Sequence, residues 1–471
     1  MKKLISLLLV TTLVLAGCGG NNNNNDTSNS SNNTTTNTTT DSNTTTTAPA
    51  GNSGGGAEEN LVLNIAIFEG GYGRDFWDEV VGLFEAETGY TVNMQISPNI
   101  GDIIRPEIVA GNPPDFLNLN DNDQTGIVAA LIKDRGLLDL TDVFNGPQFD
   151  TDAALKNKII DGFLDSYKCS PYGDGKIFLA PGNVSPMGLI YNKNLFAEKG
   201  WSVPVTWDDF FDLGDKAKAE GMSLFTYQGI YPGYIESVLF PALASHLGND
   251  YSQIEDFTPG IWSDSRSLAV LENFAKIYSG GYLMPGTVAL NHTDSQAAQM
   301  MNEALFIPNG TWMEGEMADA DRAAGYQFGL TPPPVMKSGD TRYVFSGVEQ
   351  FSIPAACANP EGAKLFLRFL YTDKAVEAYA RLNGGAVMAT TNALDLVEPY
   401  LTPDTFGMYG AYTEPGAAGM IQGFAAPPEG TRVIYSDEIF EPLSDVMSGR
   451  MTAAEWAKNI DDAYQAMADG H

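Results

Sequence analysis

Aromatic rings and lone carboxylates set near glycine are the residues of this chain best placed to do chemistry, and that chemistry is holding a ligand. In FIPNGTWMEGEM, Phe306 and Ile307 end an apolar run, Asn309-Gly310 turns the chain, and Trp312 opens a helix. A large ring at a turn is costly unless it meets something, so Trp312 reads as a platform, with a core-facing ring as the alternative. Glu314, two residues on, is either an acceptor or a solvated first-turn acid favoured by the helix dipole. Tyr72 in EGGYG stands among glycines, where backbone can approach a ligand, and Glu69 lies just before it. Glu349 in SGVEQFSI has an apolar context, in which a lone carboxylate is expensive unless hydrogen-bonded. Asp121 in DNDQTG, Tyr231 in GIYPGY, Trp262 in GIWSDS and Asn183 in APGNVSP complete the set. For each of these a turn, core or solvated-loop role is the alternative.

Other chemistries fail on spacing. DNDQTG matches the first half of a calcium loop, but the twelfth position is Ile132, where such a loop needs a bidentate glutamate. The histidines, His246, His292 and His471, are too scattered for a recognisable metal motif. No GxSxG and no phosphate loop occurs, and GGYG lacks the later glycine and acidic partner of a dinucleotide fingerprint. No motif for a catalytic residue, a cofactor or a metal is found, which suits a binder. The number of carboxylates alone does not separate such a binder from a glycoside hydrolase.

The elements that must position these residues follow from apolar periodicity. Leu61 to Phe68 suits a buried strand; Phe76, Val80, Leu83 and Phe84 then recur at helical spacing, and Gly89 ends the helix. Tyr90 to Ile96 predicts a second strand, Ile103 to Ala110 a helix, and PPDFLNLN a third strand. This alternation predicts a parallel, doubly wound α/β sheet, whose ligands sit beyond the carboxyl ends of the strands. Glu69–Gly73 and Asn120–Asp123 fall there. Lys176 to Ala180 and Gly188 to Tyr191 read as two extended runs separated by Pro181, Gly182 and Pro186, a break that suits a crossing between domains. Thr206 with Asp209, and Thr452 with Glu455, form capping boxes. Leu268, Leu271, Phe274 and Tyr278 share one helical face, and the Trp456, Ile460 and Tyr464 stripe reads as core. FGLTPPPVMKSGD is a second proline-rich break, so the chain leaves one domain, builds another and returns.

The N-terminus is of another kind. Met1-Lys2-Lys3 and the apolar Leu4 to Leu15 have the build of a secretory signal peptide, too short for the about 20 apolar residues of a membrane span. Leu15-Ala16-Gly17-Cys18 resembles the bacterial lipoprotein cleavage box, which implies a signal peptide over 1–17 and a lipid-modified Cys18 as the new N-terminus. Gly19 to Gly56 is almost free of apolar residues and cannot offset its own ordering entropy, so 18–60 reads as a disordered, lipid-anchored linker. The remaining about 410 residues exceed what one core usually holds. With 59 acidic against 26 basic residues the formal net charge is −33, which repels nucleic acid and anionic lipid and argues against a strongly anionic ligand. Cys169 and Cys357 lie in no CxxC or metal spacing; two separate thiols are favoured slightly over a disulfide.

GLIYNKNLFAEKGW, VPVTWDDF and NPEGAKLFLRFL resemble the extracellular solute-binding proteins of ABC transporters, in the carbohydrate-binding group that includes the maltose-binding proteins. IAIFEGGYGRDF and IVAGNPPDF are similar to the lipoproteins of that group that bind N-acetylglucosamine and diacetylchitobiose. The resemblance runs from about Leu61 to the C-terminus. It implies an α/β fold of two lobes, 61–182 with 332–392 and 183–331 with 393–471, joined by crossing strands around a ligand cleft. It further implies a neutral sugar held there by stacking and hydrogen bonds, delivery to a membrane permease, and a monomer anchored by lipid facing outside the cytoplasm. Trp312 aligns with a ring that stacks on sugar in that group. A maltodextrin, a xylo-oligosaccharide or a polyamine stay open as ligands, and a secreted glycoside hydrolase is the remaining rival.

Overall fold

Strands and helices alternate at the start of the folded region, as the apolar pattern dictates. The computed structural model describes residues 61–70, 73–120, 125–383 and 386–470. The expectations for the signal peptide, Cys18, the linker, Tyr72 and Asp121 lie outside them. Strand β1 (Val62–Phe68) runs parallel to β2 (Thr91–Ser97) and β3 (Phe116–Asn118). Helix α1 (Asp75–Thr88) returns the chain between β1 and β2, burying Phe76, Val80 and Phe84. It ends at Gly89, whose φ of 77° is the left-handed conformation that glycine takes without steric cost.

The centre of the molecule differs from the sequence expectation. The two runs predicted around Pro181 are one strand, β4 (Leu179–Asn192). Later strands are β5 (Ser223–Phe225), β6 (Ala304–Gly310), β7 (Phe328–Thr331), β8 (Arg342–Ser352), β9 (Val387–Met388) and β10 (Ala417–Met420). The sheet order is β2-β1-β3-β8-β4-β6-β5, with β10 beside β8 and both β7 and β9 beside β4. β4 and β8 pair antiparallel, and the register slips between Pro181↔Gln350 and Val184↔Val348. Gly182 and Asn183 thus face Glu349 alone, a β-bulge that accommodates a proline-bearing strand. A Cβ at Gly182 would lie 2.7 Å from the Phe351 ring and 3.0 Å from the Glu349 carbonyl oxygen, so this close approach requires glycine.

Local signals held well elsewhere. Both capping boxes form, at Thr206–Asp209 and Thr452–Glu455. Leu271 and Phe274 are buried on helix Ser265–Ser279, Leu268 is partly buried, and Tyr278 at its end is exposed. Trp456, Ile460 and Tyr464 are core.

By contacts, Glu59–His471 forms one compact unit, yet its apolar side chains gather into separate clusters. One includes Phe76, Phe84, Phe116, Val184, Val348, Phe366 and Tyr409. The other includes Met187, Trp207, Phe240, Trp262, Phe306, Phe345 and Trp456. The changeover falls between Val184 and Met187 on β4 and between Phe345 and Val348 on β8. A third connection runs through the segment after β10: Phe424 packs on the second cluster, while the Ala426 N–H donates to the Pro171 carbonyl (2.6 Å). Beside it the Tyr167 hydroxyl donates to Asp256 Oδ1 (2.6 Å), which raises the phenol to about 12. Cys169 and Cys357 are both free thiols. Among the described residues no helix is long and apolar enough to cross a membrane.

Candidate functional site

Two groups of side chains flank the crossing strands. The first is polar and centres on Glu349, opposite the β4 bulge. Asn183, 2% exposed, and Asn118, 3% exposed, hydrogen-bond its side chain. Each amide is anchored elsewhere as well: Asn118 Nδ2 donates to the Gln350 carbonyl (3.2 Å), and Asn183 Nδ2 to the Tyr379 hydroxyl. Burial pushes the Glu349 carboxyl up to about 7, against the pull of Asn183 and then Asn118. The folded protein therefore holds this proton more tightly than the unfolded chain does. Between the ordinary value of 4.5 and about 7, stability falls as pH rises. A group that costs stability near neutrality is a functional-site candidate.

The second group is aromatic. Trp312 follows β6 and opens the short helix Trp312–Glu316. Its ring packs against Gly310, where a Cβ would come within 2.1 Å of it. The indole is part-exposed, with the Tyr234 ring 6.5 Å away. Tyr231 precedes the 3-10 turn Pro232–Ile235 and Tyr234 lies within it, and Tyr231 meets the His292 ring edge-on at 5.5 Å. His292 lies 3.5 Å from Glu316, which also accepts from Gln296 Nε2 (2.9 Å). Burial, reinforced by Glu316 and Glu236, holds the Tyr234 phenol well above its usual value, so it stays a donor. Behind this shelf Gln228 Oε1 and Asn309 Nδ2 are buried without a hydrogen-bond partner. Met187 of β4 pairs with Gly310, four residues beyond Asn183. At the rise of a strand, the two groups are thus roughly 13 Å apart along β4. Tyr409 links them, donating to the Val184 carbonyl (3.1 Å) and hydrogen-bonding with the Thr311 side chain.

The predicted residues divide accordingly. Glu349 and Asn183 come together at the bulge, and Tyr231 and Trp312 on the shelf. Glu69 ends β1 partly buried, its N–H donating to the Ser97 carbonyl (3.2 Å). Glu314 Oε2 accepts from the Thr402 and Thr405 hydroxyls (2.6 and 2.7 Å), so this oxygen ties helix Trp312–Glu316 to helix Pro403–Tyr409 and does not wait for a ligand. Trp262 must be corrected: it is 0% exposed, inside the second cluster and edge-on to Tyr464. A ring with no free face cannot stack on a solute. Asn118, Tyr234, Tyr379 and Tyr409 went unread in the sequence. Tyr234 had a signal, as the second ring of YPGY; Asn118 had only its place at the carboxyl end of β3.

Surface cavities of about 500 Å³ (beside Arg432, Asp437 and Asp462) and about 300 Å³ (beside Tyr278, Met284 and Met447) contain none of these residues. The site therefore rests on the chemistry of its side chains and not on an enclosed volume. No cluster of three metal-ligating side chains occurs among the described residues.

The family model for bacterial extracellular solute-binding proteins matches residues 79–414, most of the chain. The chain belongs to the bacterial extracellular solute-binding proteins. Among its relatives in that family is the diacetylchitobiose binding protein NgcE of Streptomyces coelicolor, 28% identical over 330 residues, 68% of each chain. The fold matches a solved chitin oligosaccharide binding protein with a TM-score of 0.67 at 20% identity, covering 86% of this chain and 99% of that one. RafE of Streptococcus pneumoniae matches with a TM-score of 0.64 at 18% identity, over 88% of this chain and 99% of the other. The fold is thus the two-lobed α/β fold of these solute-binding proteins, with strands β4 and β8 crossing between the lobes.

The support beneath Trp312 yields a first prediction. Gly310→Ala keeps the indole but places a Cβ within 2.1 Å of it, forcing the ring to shift. The expected outcome is a Kd raised at least about fivefold for a stacked ligand, with a melting temperature close to wild type. Unchanged affinity would show that the ring's orientation does not matter to binding.

Proposed function

We propose that this chain is the lipid-anchored receptor of an ABC sugar importer, taking up an amino sugar or short oligosaccharide and handing it unaltered to a membrane permease. Diacetylchitobiose or N-acetylglucosamine is the favoured ligand. The carrying observation is the Trp312 ring, part-exposed beside Gly310 and 6.5 Å from the Tyr234 ring. A sugar ring has apolar C–H faces that such a plane covers, and a rim of hydroxyls. Glu349, Asn183 and Tyr231 supply acceptors and donors for that rim, and a carboxylate accepting from a hydroxyl makes a charge-assisted bond. The roughly 13 Å between shelf and bulge suits a ligand of two sugar units better than one. A relative named for diacetylchitobiose supports the choice.

The reading keeps lobes of 61–182 with 332–392 and of 183–331 with 393–471. The two apolar clusters support this division in outline, although Ala393, Val397 and Tyr409 pack with the first. Lipid on Cys18 would keep a monomeric receptor beside its transporter, outside the cytoplasm, while the polar segment over 18–60 lets it dock. Glu69 stays in the proposed site at the carboxyl end of β1, and Tyr72 and Asp121 stay in it by their sequence context alone.

Isothermal titration with N-acetylglucosamine, diacetylchitobiose, maltose and xylobiose tests the assignment, with spermidine as the non-sugar control. Heat with diacetylchitobiose and a chromatographically intact sugar afterwards are the expected results. Silence with all four sugars, or hydrolysis of a bound one, would overturn it.

A further inference from the structure

Glu349 is the one carboxylate of the crossing strands, and it is part-exposed, so a solute can reach it. Its influences are burial and the two asparagines, with no cation among them. The ionisable side chains on elements packed around the bulge include Tyr371, whose hydroxyl donates to the Pro181 carbonyl, Cys169, which acts on Tyr371, Tyr379 through Asn183, Tyr409 on the Val184 carbonyl, and Lys168, whose backbone carbonyl accepts from Gln350 Nε2. An amide nitrogen carries two hydrogens. Asn118 and Asn183 each spend one on a fixed partner, Gln350 and Tyr379, leaving the other for Glu349. Neither amide can move far, because both side chains are buried and doubly tied.

We propose that Glu349, held by Asn118 and Asn183 at the β4 bulge, is the ligand-selecting group of the site: it binds as a carboxylate to a ligand that donates a hydrogen bond, and occupation expels its proton to the buffer. The inference rests on the sugar-receptor reading above and adds a selection rule to it. Two donors do not offset the cost of burying the charge, so the empty site keeps the proton up to about 7. A ligand hydroxyl or amide N–H supplies a third donor, which favours the charged form and releases the proton. An anionic sugar, such as a uronic acid, brings a second negative charge, and no cation is among the influences on Glu349 that would offset it. The bulge therefore selects neutral, hydrogen-bond-donating solutes.

The test is calorimetry on the folded chain with whichever sugar of the panel gives heat at pH 8.5. At pH 6.5, titration in two buffers of different ionisation enthalpy should show release of a fraction of a proton per sugar. Affinity should fall as the medium is acidified below 7, approaching about tenfold per pH unit. Glu349→Gln, checked for folding by its melting curve, should abolish both effects. The corresponding glucuronic acid should bind at least about tenfold more weakly than its neutral counterpart. Normal binding with buffer-independent heat, or a Glu349→Gln protein that still releases the proton, would overturn the inference and leave the receptor reading standing. No heat with any sugar at pH 8.5 removes both. The wild-type proton count needs no variant, so a folding defect in Glu349→Gln cannot mask the result.

Discussion

Trp312→Ala weakens binding of the preferred sugar by roughly 1–3 kcal/mol, on the order of ten- to a hundredfold, by analogy with stacking of bases on aromatic side chains. The physical reason is the partly open indole. The ring packs beside Gly310 and stays part-exposed, so a ligand can complete its burial. Alanine leaves the solute's apolar face against water and the Tyr234 edge. The helix Trp312–Glu316 stays anchored through Glu314 on Thr402 and Thr405 and through buried Met313, so the fold should change little. Calorimetry with diacetylchitobiose and a melting curve together check this. Equal affinity in the variant would remove the ring from the site. A collapse in stability with intact affinity would make it a core residue.

Trp262→Ala should give the opposite pattern. The side chain is wholly buried in the second cluster and edge-on to Tyr464 at 6.4 Å. Truncating a ring of that size in a packed core leaves a cavity and costs about 3–5 kcal/mol. Its own backbone N–H, with those of Gly260 and Ser263, donates to the Asp461 carboxylate, so the turn it sits on is pinned to the C-terminal helix and cannot close over the void. Chemical denaturation should therefore show a large loss, while the molecules that remain folded bind sugar as wild type does. Weakened binding at undiminished stability would return Trp262 to the ligand site.

These two tryptophans show how far local pattern reaches. Each follows a glycine within two residues and stands at a turn, so sequence alone offers both as platforms. One is sealed between helices and the other is left half open, and that difference is made by chain segments remote in sequence. The same holds at Glu349. Its expense in an apolar stretch was legible, but its partners were not: Asn118 and Asn183 reach it only because β3 and β4 lie on either side of β8. The bulge was hidden for a related reason. Pro181, Gly182 and Pro186 read locally as a break, whereas pairing with β8 carries the strand through them by letting two residues face one. Glu314 read as a ligand acceptor or a solvated acid because Thr402 and Thr405 lie almost ninety residues away.

What the sequence by itself determined is what short-range physics controls. Apolar spacing and reciprocal caps placed α1 and the helices after Thr206 and Thr452, because their hydrogen bonds close within a few residues. Charge balance and missing motifs narrowed the chemistry to a binder or a glycoside hydrolase. Only the tertiary structure decided which rings keep an open face, which carboxylates already have partners, and where the crossing strands bulge. Burial and hydrogen-bond satisfaction are properties of segments brought together from distant parts of the chain, and no window of neighbouring residues contains them.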